Sequence, residues 1–288
     1  MALRVFLQLF AWLPLWAVHA IAGFLGYCMY FFPTQTRRVT QINLRLCFPT
    51  MGEAERNTLL KESLRNTAST ALEMGKAWLL PMEKTLELVV EAEGKELLSE
   101  AIAEGKGVIV LAPHLGNWEI LGFYITGISV PTFLYQPPKI ELIDSMIRKA
   151  RTRGGLKVAP TSRKGIAALL SALRRSEVIA VLPDQVPDRQ GGAYAPFFGK
   201  QALTMTLISN LVARTGARVV CGFAKRLPGS RGFKIVLKSA DQLMYSSNLG
   251  KSVEGLNRSV EQCVEEACSQ YQWEYKRFKH LPDDERIY

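Results

Sequence analysis

The sequence predicts a three-layer α/β domain on a mainly parallel central sheet, preceded by an N-terminal membrane helix. Three observations carry the prediction. From about residue 86 onward, short β-branched apolar runs alternate with stretches of helical periodicity, the pattern of strand–helix units pairing in parallel. Residues 5–36 contain no Lys, Arg, Asp or Glu, and Val5 to Phe32 is almost wholly apolar. The chain has 288 residues, 48% of them hydrophobic, enough to bury one large core with an appendage.

In chain order, residues 5–32 read as a membrane anchor. A continuous helix over them would be roughly 42 Å long, more than a hydrocarbon core of about 30 Å requires. The excess implies tilt, a break near Pro14 or a portion lying in the interface. A cleaved signal is the rival reading, but its apolar core would be only about 7–15 residues long and followed by small residues. This run instead ends in Phe31-Phe32-Pro33. Arg4 precedes the run and Arg37, Arg38 and Arg45 follow it, so the heavier positive side, with the rest of the chain, is expected in the cytoplasm.

Residues 33–80 read as a helical, membrane-proximal segment. From Glu53 to Leu80 the apolar positions Leu59, Leu60, Leu64, Ala68, Ala71, Leu72, Met74 and Trp78 recur at helical spacing. Packing on the main domain is the plain reading of that stripe; membrane contact is the alternative. The α/β domain occupies residues 81–288. Its expected strands lie around Val89-Val90 and over 107–112, 130–135, 156–159, 178–183, 217–224 and 233–238. Helices are expected over 95–104, 118–127, 139–152, 163–175, 202–214 and about 250–270. The five cysteines are scattered, with no CxxC pair, which argues against a disulfide framework or a zinc site and for a reducing compartment. The 36 Lys+Arg against 26 Asp+Glu leave a net charge of +10, which points to an anionic partner.

The chemistry-bearing stretch is Val108–Glu119, where an apolar strand ends at Pro113 and is followed by His114-Leu115-Gly116-Asn117-Trp118-Glu119. Open α/β sheets place their sites at such strand-to-helix turns. Glu119 is expected to accept the His114 ring N–H and fix its tautomer, making an oriented base. A structural histidine is the plain alternative. No GxSxG occurs, and no serine or cysteine lies near in sequence, so the base would act directly on a substrate hydroxyl. Arg151 and Arg153 before Gly154-Gly155, with Arg163 beyond, are candidates for bidentate phosphate contacts, against the plain reading of a solvated face. Asp184 and Gln185 close the strand over Val178–Leu182 at the same sheet edge as His114, provided the sheet is parallel. Phe198, in Pro196-Phe197-Phe198-Gly199, is either core and turn or part of the lining of a fatty-chain channel.

Together these segments resemble the late acyltransferases of lipid A biosynthesis, the lauroyl/myristoyl transferases of Gram-negative bacteria, within the glycerolipid acyltransferase superfamily marked by HX4(D/E). The resemblance runs from the apolar N-terminus through Asn43-Leu44…Phe48-Pro49, His114–Glu119, Arg151/Arg153, Pro183-Asp184-Gln185 and Pro196–Gly199 to Trp273…Arg277-Phe278-Lys279. It implies a glycerol-3-phosphate acyltransferase-like domain on a single-pass inner-membrane anchor, moving an acyl group from acyl carrier protein to a hydroxyl of an anionic lipid A precursor. His114 would be the base and Glu119 its partner. Asn117, Arg151, Arg153, Arg163, Asp184, Gln185 and Phe198 would contact substrates, with no metal, cofactor or nucleic acid required. Other lipid acceptors, such as ornithine lipids, glycolipids or lysophospholipids, with acyl carrier protein or acyl-CoA as donor, are the nearest alternatives. A lipid hydrolase or thioesterase would release free fatty acid without acceptor dependence. A membrane-bound basic scaffold would show salt-sensitive binding without turnover.

Overall fold

The structure, a computed structural model, describes residues 2–138, 140–283 and 285–288. The apolar N-terminus forms two helices, α1 (Ala2–Trp12) and α2 (Leu15–Phe31), rather than the single helix expected over 5–32. The break falls at Leu13-Pro14, because proline has no N–H to continue the ladder and its backbone is extended here (ψ 149°). The last carbonyls of α1 are taken up by the Lys76 ammonium, which bonds Ala11 O (3.0 Å) and Leu13 O. No single helix among the described residues is long and apolar enough to cross a membrane; α2 and α3 (Gln35–Cys47) meet that test only as a pair bent by 78°. The seventeen residues of α2 rise only about 26 Å.

Both N-terminal helices lie on α4 (Glu53–Leu79). The inward residues of α2, Leu15, Val18, His19, Ala22 and Gly26, repeat at helical spacing, and the intervening Trp16, Phe24 and Tyr27 are exposed. Gly26 permits the close approach, since a Cβ there would stand 2.6 Å from Arg65 Cα. Phe10, Val18, Ala22, Ala68 and Leu72 form a small core of their own between these helices. The short α5 (Met82–Leu86) then leads into the sheet domain.

That domain runs β1 (Val89–Glu93), α6 (Lys95–Ala103), β2 (Val108–Leu111), α7 (Trp118–Thr126), β3 (Thr132–Tyr135), α8 (Glu141–Arg153), β4 (Lys157–Pro160), α9 (Arg163–Arg174) and β5 (Val178–Val181). A hairpin of β6 (Gly192–Phe197) and β7 (Lys200–Met205) follows, then α10 (Leu207–Thr215), β8 (Arg218–Arg226), β9 (Phe233–Ser239) and α11 (Leu249–Glu266). The seven-stranded sheet has the order β1-β9-β8-β2-β5-β3-β4, and every pairing is parallel except β8 with β9. The helix expected over 202–214 is a correction: residues 200–205 pair antiparallel with 192–197, and the helix begins at Leu207. The Phe198-Gly199 turn, with both residues at positive φ, closes the hairpin.

Alternation along the central strands builds the layers. Ile109 and Leu111, Ile179 and Val181, and Val219, Cys221 and Phe223 enter one core with α9, α10, α11 and Leu60 and Leu64 of α4. Val108 and Val110, Val178 and Ala180, and Val220 and Ala224 enter the other, against α6, α7 and Ala150 of α8. Strands covered on both faces are apolar throughout, which is why β2 and β5 are fully buried.

Candidate active site

β2 and β5 are parallel neighbours, with Leu111 opposite Val181. Three residues beyond each of these partners stand His114 and Asp184, so the two turns leave the sheet side by side. The Asp184 carboxylate takes both donors of one residue: the His114 backbone N–H on Oδ2 (2.8 Å) and ring Nδ1–H on Oδ1 (2.8 Å). An ionised carboxylate only accepts, so Nδ1 carries a proton, and in the neutral ring the lone pair is then on Nε2. Burial raises the Asp184 pKa; the His114 imidazole and the two N–H donors outweigh that and hold the carboxyl below its ordinary value. Trp118 packs edge-on against the ring at 4.8 Å. The Gln185 side-chain amide nitrogen lies 3.2 Å from Nε2, where it donates to the free lone pair.

The loop carrying His114 is strapped on both sides. Gly116 N donates to Gln270 O (3.1 Å), Asn117 N to Ala224 O (3.0 Å) and Gln272 N to His114 O (3.0 Å). Gly116 has φ +60°, and a Cβ there would meet Ala224 O at 2.0 Å. Gly116→Ala is therefore expected to lower the unfolding free energy by at least about 2 kcal/mol. Gly105→Ala, also at positive φ but facing open space, should cost about 1 kcal/mol. Chemical denaturation of the two variants makes the comparison, and equal losses would remove the close approach as the reason for this glycine.

Glu119 does not hold His114. It lies in the first turn of α7, where it forms a buried pair with Arg151 of α8: guanidinium Nη2 to Oε1 at 2.8 Å and Nε to Oε2 at 3.4 Å. Arg151 also lies over the Phe133 (5.4 Å) and Tyr135 (4.9 Å) rings, so both its charge and its flat faces are occupied. Asn117 is equally internal. Its Oδ1 caps α7 at Ile120 N (3.3 Å) and its Nδ2 bonds Glu73 Oε2 (3.1 Å). Glu73, wholly buried on α4, also binds Arg226 (Nε 2.5 Å, Nη2 2.7 Å) and His19 Nε2 (2.7 Å). Burial alone would raise its pKa, but Arg226 and then His19 bring it down to about 2.

Of the other expected contacts, Arg153 is exposed and donates to Trp78 O (3.3 Å). Arg163 is exposed at the start of α9, after the edge strand β4. Phe198 packs against Phe48, Phe197 and Trp273 at 5.0–6.0 Å, and its N–H is held by Glu261 (2.6 Å). The structure thus brings Asp184 and Gln185 to His114, and leaves Arg163 and Phe198 elsewhere.

A cleft of about 190 Å³ opens beside His114, lined by Thr67, Met74, Trp78, Trp118, Tyr271 and Glu274 among others. Sequence reading missed Tyr271 and Glu274. Burial, then the Asp184 carboxylate, push the Tyr271 phenol well above its ordinary value, and burial raises the Glu274 carboxyl. Only the position of Trp273…Lys279 in the resemblance pointed toward this segment.

The arrangement is a histidine lone pair, oriented by an acid, facing an apolar-walled cleft on a parallel sheet edge. The sequence profile of the family described as bacterial lipid A biosynthesis acyltransferase matches residues 2–280. The chain is 26% identical to the Escherichia coli K12 lipid A biosynthesis lauroyltransferase over 273 residues, 94% of this chain and 88% of that protein. It is 26% identical to the palmitoleoyltransferase of the same strain over 246 residues (85% and 79%) and 25% identical to its myristoyltransferase over 255 residues (85% and 75%).

Proposed function

The chain belongs to the bacterial lipid A biosynthesis acyltransferase family and is an acyltransferase; from that premise we propose that it moves a fatty acyl group from an acyl carrier protein thioester to a hydroxyl of a lipid A precursor. The observation that carries the chemistry is the single carboxylate of Asp184 holding both the ring and the backbone of His114. The acceptor hydroxyl displaces Gln185 and gives its proton to Nε2. Its oxygen attacks the thioester carbonyl carbon, the C–S bond breaks, and the departing sulfur takes the proton from the imidazolium. The products are an ester and the free thiol of the carrier. Asp184 keeps Nδ1 protonated and stabilises the imidazolium charge. Glu119 acts through Arg151, fixing α7 against α8.

The net charge of +10 suits both an acidic carrier and an anionic acceptor. Membrane seating is supported by the exposed Trp12 of α1, Trp16, Phe24, Tyr27 and Phe31 of α2 and the following Phe32, each more than half exposed; the cytoplasmic face of the inner membrane is proposed from Arg37, Arg38 and Arg45, which follow the apolar run. The test is direct. Purified protein given acyl carrier protein thioester and a lipid A precursor should produce the acylated precursor, read by mass spectrometry. Free fatty acid formed at the same rate without acceptor would instead identify a hydrolase.

A further inference from the structure

A second cavity, of about 650 Å³, opens where α2 ends and α3 begins. Its wall holds Arg37 and Arg38 from the first turns of α3, Lys276 from the C-terminal segment, Gln35, Gln41 and the Tyr288 ring, and none of its lining residues is Asp or Glu. It shares no residue with the cleft at His114. Among the described residues none of its three cations is in an ion pair, and the Nε of Arg37 is buried with no hydrogen-bond partner. Arg37 rests on the Tyr30 ring at 5.3 Å and Lys276 on the Tyr288 ring at 5.7 Å, which steadies both cations without neutralising them. Three cations on one cavity wall, with no Asp or Glu among the lining residues, favour an anion between them.

The position supplies the chemistry of that anion. The cavity starts at Pro33, directly after the exposed Tyr27, Phe31 and Phe32 of α2. Aromatic side chains seated in a bilayer interface, followed at once by clustered arginines, place the positive charge at headgroup depth. We propose that this cavity is a second lipid site, which holds the phosphate of an anionic phospholipid headgroup while the acyl transfer proceeds at His114. The inference rests on the membrane seating proposed above and not on the identity of the acyl acceptor. A lipid held here anchors the bend between α2 and α3, and α3 in turn holds the C-terminal segment, because the Asn43 side chain bonds Trp273 O and Tyr275 O (2.7 Å each).

Vesicle co-sedimentation of the full chain tests it, with phosphatidylcholine vesicles, vesicles containing phosphatidylglycerol, and inorganic phosphate as the three arms. Wild type should prefer the phosphatidylglycerol vesicles, and Arg37→Gln/Arg38→Gln should weaken that binding about 30-fold while leaving phosphatidylcholine binding unchanged. The charge-matched Lys95→Gln/Arg174→Gln, at exposed positions elsewhere, should change it by less than about 3-fold. Equal loss in both double variants would reduce the effect to diffuse surface charge and overturn the site. An undiminished preference in Arg37→Gln/Arg38→Gln would overturn it as well. Inorganic phosphate that raises the wild-type Tm in the absence of any vesicle preference would assign the cavity to free phosphate. Failure to bind either vesicle would instead contradict the membrane seating. A thermal melt of each variant, compared with wild type, confirms that binding is being read on folded protein.

Discussion

Asp184→Asn is expected to lower kcat by about 10³–10⁴-fold while KM for both substrates stays within a few-fold. The reason lies in the count of acceptors. Asp184 serves both donors of His114, the backbone N–H and ring Nδ1–H, one on each oxygen. Asparagine offers one oxygen and one NH2. The backbone N–H is always a donor, so the amide oxygen goes to it and the NH2 faces Nδ1. The ring then accepts at Nδ1 and carries its proton on Nε2, where no lone pair remains to receive a proton from the acceptor. The fold survives, because the swap is isosteric. Steady-state kinetics with a thermal melt checks both halves, and an Asp184→Asn enzyme within tenfold of wild-type kcat would separate this carboxylate from the chemistry.

Glu73→Ala should be the most destabilising single change outside the sheet core, costing about 3–5 kcal/mol. Its carboxylate is the meeting point of Arg226 from β8, His19 from α2 and Asn117 from the turn that carries His114. Removing it leaves a buried guanidinium with only Asn66 and Thr70 as side-chain partners. Replacing both members, Glu73→Met with Arg226→Met, should recover much of the loss, since the Arg226 charge is removed together with its counter-charge. The pH dependence has a definite sign. The folded carboxyl titrates at about 2, against about 4.3 in an unfolded chain, so its contribution is complete above about pH 4.3 and is lost as pH falls toward 2. Denaturant titrations at pH 7 and pH 3 should therefore show a smaller gap between wild type and Glu73→Gln at the lower pH, and a constant gap would contradict the assignment.

Much of the sheet could be read from the chain because its information is local. Val108–Leu111 and Val178–Val181 are contiguous apolar runs, and burial on both faces leaves no polar residue to confuse the pattern. The hairpin was hidden because Ala202-Leu203 runs into the apolar face of α10, so strand and helix merge into one periodic stretch. Pro14 marked a possible break, but the length of the apolar run concealed that two short helices would each fold back on α4.

The site was legible only to the extent that its partners are close in sequence. His114 stood out at a strand end. Its acid was sought five residues away, in Glu119, and found seventy residues away, in Asp184. That pairing depends on β5 lying beside β2, an adjacency that strand patterns alone do not specify. Glu119, in the first turn of α7, is instead paired with Arg151 of α8, which also lies over the Phe133 ring of β3, a long-range contact that no local pattern displays. Arg163, a candidate phosphate contact beyond Arg151 and Arg153, stands exposed at the start of α9.

The central claim is that His114 and Asp184 act as one unit in the transfer step. A double-mutant cycle in the acyl-transfer assay, His114→Ala with Asp184→Asn, measures it most directly. The account predicts that the double variant is no slower than His114→Ala alone, because Asp184 contributes only through the ring it holds. Losses that multiply would show that the two residues act independently and would contradict it.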